Sequence, residues 1–440
     1  MKVYTIGGYN EVGKNMTAIE VNGEVVIFDM GYAMDKLITL ESSEKEENFN
    51  AGLLIDAGVI PNDRQLRGKN VVGIVINHGH LDHCGAVPFL AEKYNCPIIA
   101  TPYTLEVIKN LLNDFGKGYL ERNLRPLNPG ETMDLGKNMQ LEFVHITHSI
   151  PQTVLSVLHT KEGTVVYAND YKLDDDPTLG KKPDYRRIKQ LGKEGVKLLI
   201  SETVRVTEGS FTPPERIAQN LVKFALDKAY ENKRGAVFIT TFASHIARLR
   251  SIIKENKGRR KIVMVGRSLD NYVIPAAKLG LIDISGIRVF GKKRGIKRTF
   301  KKLVEKPDEY LLICTGNQGE ENSVLWRLVR KEYAFRIRKH DTVIFASETI
   351  PHPMNRASRY MVESMFREQG ARIIKHIHVS GHARREDHRD LMRMLNPEVI
   401  VPSHGETERL ASYANLALEE GYKIGYNVHI MYNGGEKEIN

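Results

Sequence analysis

The chain has 440 residues, enough for two or three domains with sizeable cores. Its 41% hydrophobic and 27% charged residues fit a globular protein, and no run of about 18 apolar residues is present to span a membrane. The net charge of +10 and pI near 9.2 favour an anionic partner, and three cysteines, Cys84, Cys96 and Cys314, make an odd number that fits no disulfide framework.

The N-terminus, MKVYTIGGYNEVG, has no extended apolar segment and passes directly into a strand-like pattern, so a signal peptide is not expected. With reduced thiols, the expected location is the cytoplasm. "TAIEVNGEVVIFDMG" reads as two antiparallel strands around an Asn-Gly turn, and "MQLEFVHITHS" alternates in the same way. "ESSEKEEN" (41–48) reads as a solvated acidic insertion. "VVGIVI" (71–76) is a buried strand by its β-branched run, "CGAVPFLAEKY" a helix and "CPIIAT" the next strand.

Between that strand and that helix lies "NHGHLDHCG", with His78, His80, Asp82 and His83 inside six residues. A loop there can turn His78 and His80 to one side and Asp82 and His83 to another, which suits two adjacent metal ions. A helix-borne zinc site would instead space its histidines four apart. Neutral imidazoles and carboxylates are the usual ligands of catalytic zinc. Further donors follow strands in the same manner: His148 in "ITHSIPQT", Asp170 in "VVYANDYK", placed to bridge two ions, and His404 in "VIVPSHGE". Asp29, ending "VVIFD", reads as a carboxylate that orients a ligand. His145 and His159 fall within strands and read as structural.

From "VKLLIS" (196–201) onward a strand–helix rhythm takes over. Thr212 is expected to cap the helix "PPERIAQNLVKFALDKAY", with both prolines in its first turn. "GAVFITT", "KIVMVG", "YLLICTG" and "DTVIFAS" supply strands of a parallel α/β unit inserted into the first domain. Within it, "GKKRGIKRTFKKLVEK" (291–306) carries eight Lys or Arg against one Glu, and "KENKGRRK" (254–261) adds a second basic cluster. Such runs read either as a solvated face or as a footprint for a polyanion.

These motifs, taken in order, resemble the metallo-β-lactamase fold: Asp29, His78-Gly-His80-Leu-Asp82-His83, His148 and Asp170. Glu202 in "LLISET", His382 in "HIHVSGHA" and His404 in "PSHGE" are similar to the three additional motifs of the β-CASP branch. "TTFASHIARL", "CTGNQGE" and "HVSGHA" together resemble ribonuclease J, especially its short archaeal-type form. The resemblance covers nearly the whole chain. It implies an αββα sandwich over 1–205 and 371–440, with a parallel α/β β-CASP domain inserted at 206–370. Bacterial relatives carry a further C-terminal domain and archaeal cleavage-factor homologues begin with KH modules; neither is expected here. His245 stands where many relatives have Asn.

The resemblance further implies a zinc held by His78, His80, His148 and Asp170, and a second held by Asp82, His83, Asp170 and His404, with manganese or magnesium as alternatives. Catalysis would fall to Asp82, His382 and Glu202, with Glu202 orienting His382. Phosphates of single-stranded RNA would meet Ser244, His245, Gln318, Gly319, His378, Ser380, Gly381 and His382. The expected activity is 5′→3′ exoribonuclease, favouring 5′-monophosphate ends, in a homodimer. An RNA endonuclease and a catalytically silent RNA-binding scaffold are the alternatives. A small-molecule hydrolase is disfavoured by the inserted domain and the basic run.

Overall fold

The computed structural model describes residues 1–41, 44–231, 234–350 and 353–440. The chain divides into two compact units. The first comprises 1–175, 181–212 and 381–440; the second comprises 176–180 and 213–380. Ser42 and Ser43 of the acidic stretch lie outside the described residues.

In the first unit two sheets face each other. One has seven strands in the order Gly435–Glu438, Lys2–Gly7, Met16–Val21, Glu24–Phe28, Asn70–Ile76, Ile98–Ala100, Leu124–Pro126. Its first four strands pair antiparallel, and from Glu24–Phe28 onward the pairing is parallel. The Asn22–Gly23 turn has positive φ at both residues, as a tight hairpin requires. The other sheet has six strands in the order Val399–Ser403, Leu198–Glu202, Gly163–Ala168, Val154–Thr160, Met139–His145, Thr132–Leu135.

Strand alternation explains the layering. Val165, Tyr167, Leu198 and Ile200 point inward to meet Val26, Phe28, Val75 and Ile99 of the first sheet. Phe28 and Tyr167 stack across the interface at 5.0 Å. The intervening Val166, Ala168 and Leu199 point outward, onto Ile188 and Leu191 of the helix Tyr185–Glu194 and Leu391 and Leu395 of Arg385–Leu395. The helix Pro102–Asp114 packs on the strands of the first sheet. This is the αββα sandwich expected from sequence.

The second unit is a six-stranded, all-parallel sheet. Its order is Arg288–Phe290, Lys261–Val265, Tyr310–Cys314, Val237–Thr240, Thr342–Phe345, Arg372–Ile374. Its strands are nearly continuous apolar runs, as a sheet covered on both faces requires.

Two local expectations change. The helix expected over "CGAVPFLAEKY" is broken into Leu81–Cys84, Val87–Leu90 and a 3-10 turn Ala91–Tyr94. The Ala86 N–H is diverted to the Met30 carbonyl, and a side chain at Gly85 would collide with the Tyr32 ring. Thr212 does not cap the next helix, which begins at Glu215 after Pro214 and has no side-chain cap. The Thr212 hydroxyl is instead taken up within the first unit, donating to Asp387 Oδ2 at 2.6 Å and accepting from the Arg384 N–H at 3.0 Å.

Candidate metal centre

The site lies in the first unit, at the C-terminal ends of its strands. Glu24–Phe28 and Asn70–Ile76 run parallel, so Asp29 and His78 emerge on one rim. Gly163–Ala168, Leu198–Glu202 and Val399–Ser403 are also mutually parallel, so Asp170, Glu202 and His404 emerge together. Asp29, Asp170 and His404 have φ near +60°, a left-handed conformation that costs energy in non-glycine residues and concentrates at functional sites.

Two donor sets result, sharing Asp170: His78, His80, His148 and Asp170, and Asp82, His83, Asp170 and His404. In the first, His80 Nδ1 lies 3.1 Å from His78 Nε2 and 3.2 Å from His148 Nε2. Asp170 Oδ2 is 3.3 Å from His78 Nε2 and 3.5 Å from His148 Nε2. In the second, His83 Nε2 is 3.3 Å from Asp170 Oδ2 and 3.6 Å from Asp82 Oδ2, and His404 Nε2 is 3.2 Å from Asp170 Oδ1 and 3.6 Å from Asp82 Oδ2. A tetrahedral ion with bonds of about 2.05 Å separates its ligands by about 3.3 Å. The observed spacings surround that value.

Electrostatics agree with a cation. Burial pushes His80 down to about 3 and holds His78 and His148 low, which leaves these imidazoles neutral with lone pairs to give. Burial also lowers His83, but Asp170, Asp29 and Asp82 outweigh it and hold that imidazole well up. The carboxylates that attract a proton there also favour a metal cation. Among the described residues His78 Nδ1 is buried without a hydrogen-bond partner, a costly state for a polar atom.

Outer contacts orient two of the five rings for ligation. His83 Nδ1 is 2.7 Å from Asp29 Oδ2, and His148 Nδ1 donates to the Gly381 carbonyl at 2.7 Å; each leaves Nε2 to face the centre. His404 differs. Its Nδ1 accepts from the Gly13 N–H at 3.0 Å, which leaves the ring proton on Nε2. The second donor set is therefore the less prepared of the two.

His382 stands beside both sets. Its Nδ1 is 3.3 Å from Glu202 Oε1 and 3.7 Å from Asp170 Oδ1. Burial lowers this imidazole, but Glu202 and Asp170 outweigh burial and raise it to about 9. Glu202 is fully buried and fixed by N–H donors from Tyr171 (3.2 Å) and Val204 (3.1 Å). His145 and His159 are elsewhere, on Lys181 O and Glu142 respectively.

Several supports were not singled out in the sequence. Asn15 Nδ2 reaches the Asp82 carbonyl and lies 3.1 Å from His83 Nε2. The backbone of Met30–Tyr32 zips onto Leu81–His83, and Gly31 makes this possible: a Cβ there would fall 1.6 Å from the Asp82 carbonyl oxygen. Gly31, directly after the Asp29 motif in "FDMGYAM", is the one sequence signal of that close approach.

Ser244, His245, Gln318, Gly319, His378 and Ser380 belong to the second unit, while Gly381 and His382 belong to the first. His245 caps the helix Ile246–Asn256, its ring nitrogen accepting from the Arg248 N–H at 3.3 Å, a task Asn performs equally well. The Gln318 amide is engaged at both ends, with the Glu348 carbonyl and the Ile350 N–H. Gly319 has φ +78° and lies against the backbone of Ser358.

Comparison with known proteins agrees with this geometry. Residues 9–218 match the metallo-β-lactamase superfamily, 234–363 the ribonuclease J β-CASP domain, and 370–431 the Zn-dependent metallo-hydrolase RNA specificity domain. The chain is 47% identical to ribonuclease J of Methanocaldococcus jannaschii, covering 99% of this chain and 98% of that one. It is 48% identical to ribonuclease J of Pyrococcus abyssi, covering 100% and 97%. A crystal structure of a protein of unknown function from Enterococcus faecalis V583 shares the fold, with a TM-score of 0.65 at 15% identity and 99% coverage of both chains. The chain belongs to the ribonuclease J family of metal-dependent hydrolases, with a β-CASP domain inserted into a metallo-β-lactamase fold.

Proposed function

We propose that this protein is a zinc-dependent ribonuclease that degrades single-stranded RNA from the 5′ end, favouring a 5′-monophosphate. The observation that carries this reading is the pair of four-donor sets sharing Asp170, with His382 and Glu202 alongside. In this reading His78, His80, His148 and Asp170 hold one zinc, and Asp82, His83, Asp170 and His404 hold a second. The imidazoles, three in the first set and two in the second, favour zinc, with manganese or magnesium as the alternatives. When bound, the ions lower the pKa of water and offset negative charge on the attacked phosphate.

The chain's own residues do the rest. Asp82 anchors the second set and orients the attacking water. His382 delivers a proton to the departing 3′ oxygen, and Glu202 holds its ring in place. Ser244, His245, Gln318, Gly319, His378, Ser380 and Gly381 bind neighbouring phosphates through hydroxyl, amide, imidazole and backbone N–H donors. For Gln318 such a contact replaces an internal one, since its side-chain amide holds Glu348 and Ile350 and its backbone N–H donates to Glu320 Oε2 at 3.1 Å. The domain division that goes with this reading is 1–205, 206–370 and 371–440. The protein works in the cytoplasm as a homodimer; no described helix is long and apolar enough to cross a membrane.

The test is digestion of RNAs labelled at either end and carrying a 5′-monophosphate or a 5′-triphosphate, beside a circular RNA. Mononucleotides released from the 5′ label, with monophosphate preferred and the circle spared, are expected. Cutting the circle as fast as the linear monophosphate RNA would overturn the exonuclease reading in favour of an endonuclease.

A further inference from the structure

The two basic clusters of the sequence meet different fates. In the first, Arg259 pairs with Asp227, Arg260 is buried against the Tyr230 ring, and Lys261 pairs with Glu309. Those three charges are absorbed by the fold, while Lys254 and Lys257 stay exposed. The second becomes the helix Lys293–Glu305; Lys306, just past its end, pairs with Glu309, but the charges on the helix itself are not absorbed. Ile296, Thr299, Phe300 and Leu303 form its buried stripe, with Phe300 stacked on Tyr333 at 4.1 Å. Gly295 lets the helix lie flush on Phe290 of the edge strand. Lys293, Arg294, Lys297, Arg298, Lys301 and Lys302 are all exposed, and among the described residues none of the six enters an ion pair.

Folding gains nothing from this arrangement. Like charges four residues apart repel on a helix, and here 293/297, 294/298, 297/301 and 298/302 all do so. Cations in a first turn oppose the helix dipole, and this first turn has no acidic residue. The apolar stripe alone anchors the helix. The two rows 293/297/301 and 294/298/302 advance by about 6 Å per step, four residues at 1.5 Å each. That spacing is comparable to the separation of successive phosphates on an extended strand.

We infer that this helix face is a docking surface for the phosphate backbone of single-stranded RNA, an RNA contact of the β-CASP unit separate from the residues named above. The inference rests on the ribonuclease reading and names a further contact for its substrate. A regularly spaced polyanion complements two regular rows of cations better than the irregular surface of an acidic protein does.

The experiment measures binding of an unstructured, 5′-monophosphorylated 30-nucleotide RNA to the full chain, with divalent metal withheld to prevent turnover, across a salt series. Lys297→Gln, Arg298→Gln, Lys301→Gln and Lys302→Gln are combined in one variant. Loss of about four phosphate contacts should flatten the slope of log K against log salt by about 2–3, at about 0.7 per contact for single strands. Affinity near 0.1 M salt should fall by at least about tenfold. A charge-preserving variant, with the three lysines changed to Arg and Arg298→Lys, should retain the slope. A control replacing exposed Lys181, Lys182, Lys189 and Lys193 with Gln should change it little. An unchanged slope in the first variant, or an equal loss in the control, overturns the inference. So does loss of polyglutamate binding with the RNA slope intact. If the unaltered protein neither binds nor degrades RNA, the ribonuclease reading itself fails; if it does both and only the helix variant is silent, that reading stands.

Discussion

Arg248 offers the most demanding test of how the second unit is held together. Its side chain is fully buried, and its guanidinium grips Glu215 bidentately, Nε to Oε1 at 2.7 Å and Nη2 to Oε2 at 3.0 Å. The remaining N–H groups donate to the carbonyls of Ala346 (2.6 Å), Ile377 (3.1 Å) and Val379 (3.4 Å). One side chain thus ties the start of the helix Glu215–Tyr230 to a strand end and to the loop that leads into Ser380. Arg248→Met fills similar space but strands the Glu215 carboxylate and three carbonyls. Breaking one side of a buried pair costs about 3–5 kcal/mol. In a unit of this size each kcal/mol lowers the melting temperature by about 2–4 °C, so about 4 kcal/mol predicts a drop of about 8–16 °C. Thermal unfolding followed by circular dichroism reads it. Glu215→Leu should cost a similar amount, and the double variant much less than the sum, because neither partner is then left charged and alone. A drop under about 3 °C for Arg248→Met, or strictly additive losses, would refute the reasoning.

Further outcomes follow from the same geometry. Gly31→Ala should displace the Asp82 backbone; metal content by elemental analysis and RNA hydrolysis should both fall, the latter by about 100-fold, since a 1 Å misplacement can cost that much. Retention of both at the original level would contradict the close approach described. Because the Gly13 N–H leaves the His404 proton on Nε2, graded chelation should remove metal in two stages, and His148→Ala should abolish the more tightly held fraction. Simultaneous loss of all metal would count against it. At Glu142, burial raises the carboxyl but Arg187 and His159 outweigh it and hold it at about 2. A depressed carboxylate contributes its stability above the unfolded value near 4.3, and loses it as pH falls from about 5 to 2. Glu142→Gln should therefore flatten acid unfolding in that window, by about 1–2 kcal/mol once the partly exposed Arg187 is allowed for; an unaltered acid profile would argue otherwise. Gly319→Val should destabilise the second unit by about 1–3 kcal/mol in urea unfolding, since its φ is +78° and its Cβ would meet the Ser358 backbone; equal midpoints would show that the loop yields.

The sequence by itself carried the elements and the donors. Apolar runs marked the strands, and histidines and aspartates placed one or two residues after them marked the rim, because chemistry at a strand end needs only local order to be visible. The Asn22–Gly23 hairpin was legible for the same reason. What remained hidden was contact between distant segments. That the Asp82 backbone docks against Gly31 depends on two segments about 50 residues apart lying flush. That Thr212 turns to Asp387 rather than to its own helix depends on a partner 175 residues away. Composition could not separate the two basic clusters either. Asp227 and Glu309 pair with Arg259 and Lys261 of one, while among the described residues the helix cations from Lys293 to Lys302 meet no acid and Lys306, beyond the helix, reaches Glu309; such pairing is fixed only when the tertiary fold brings the charges within reach.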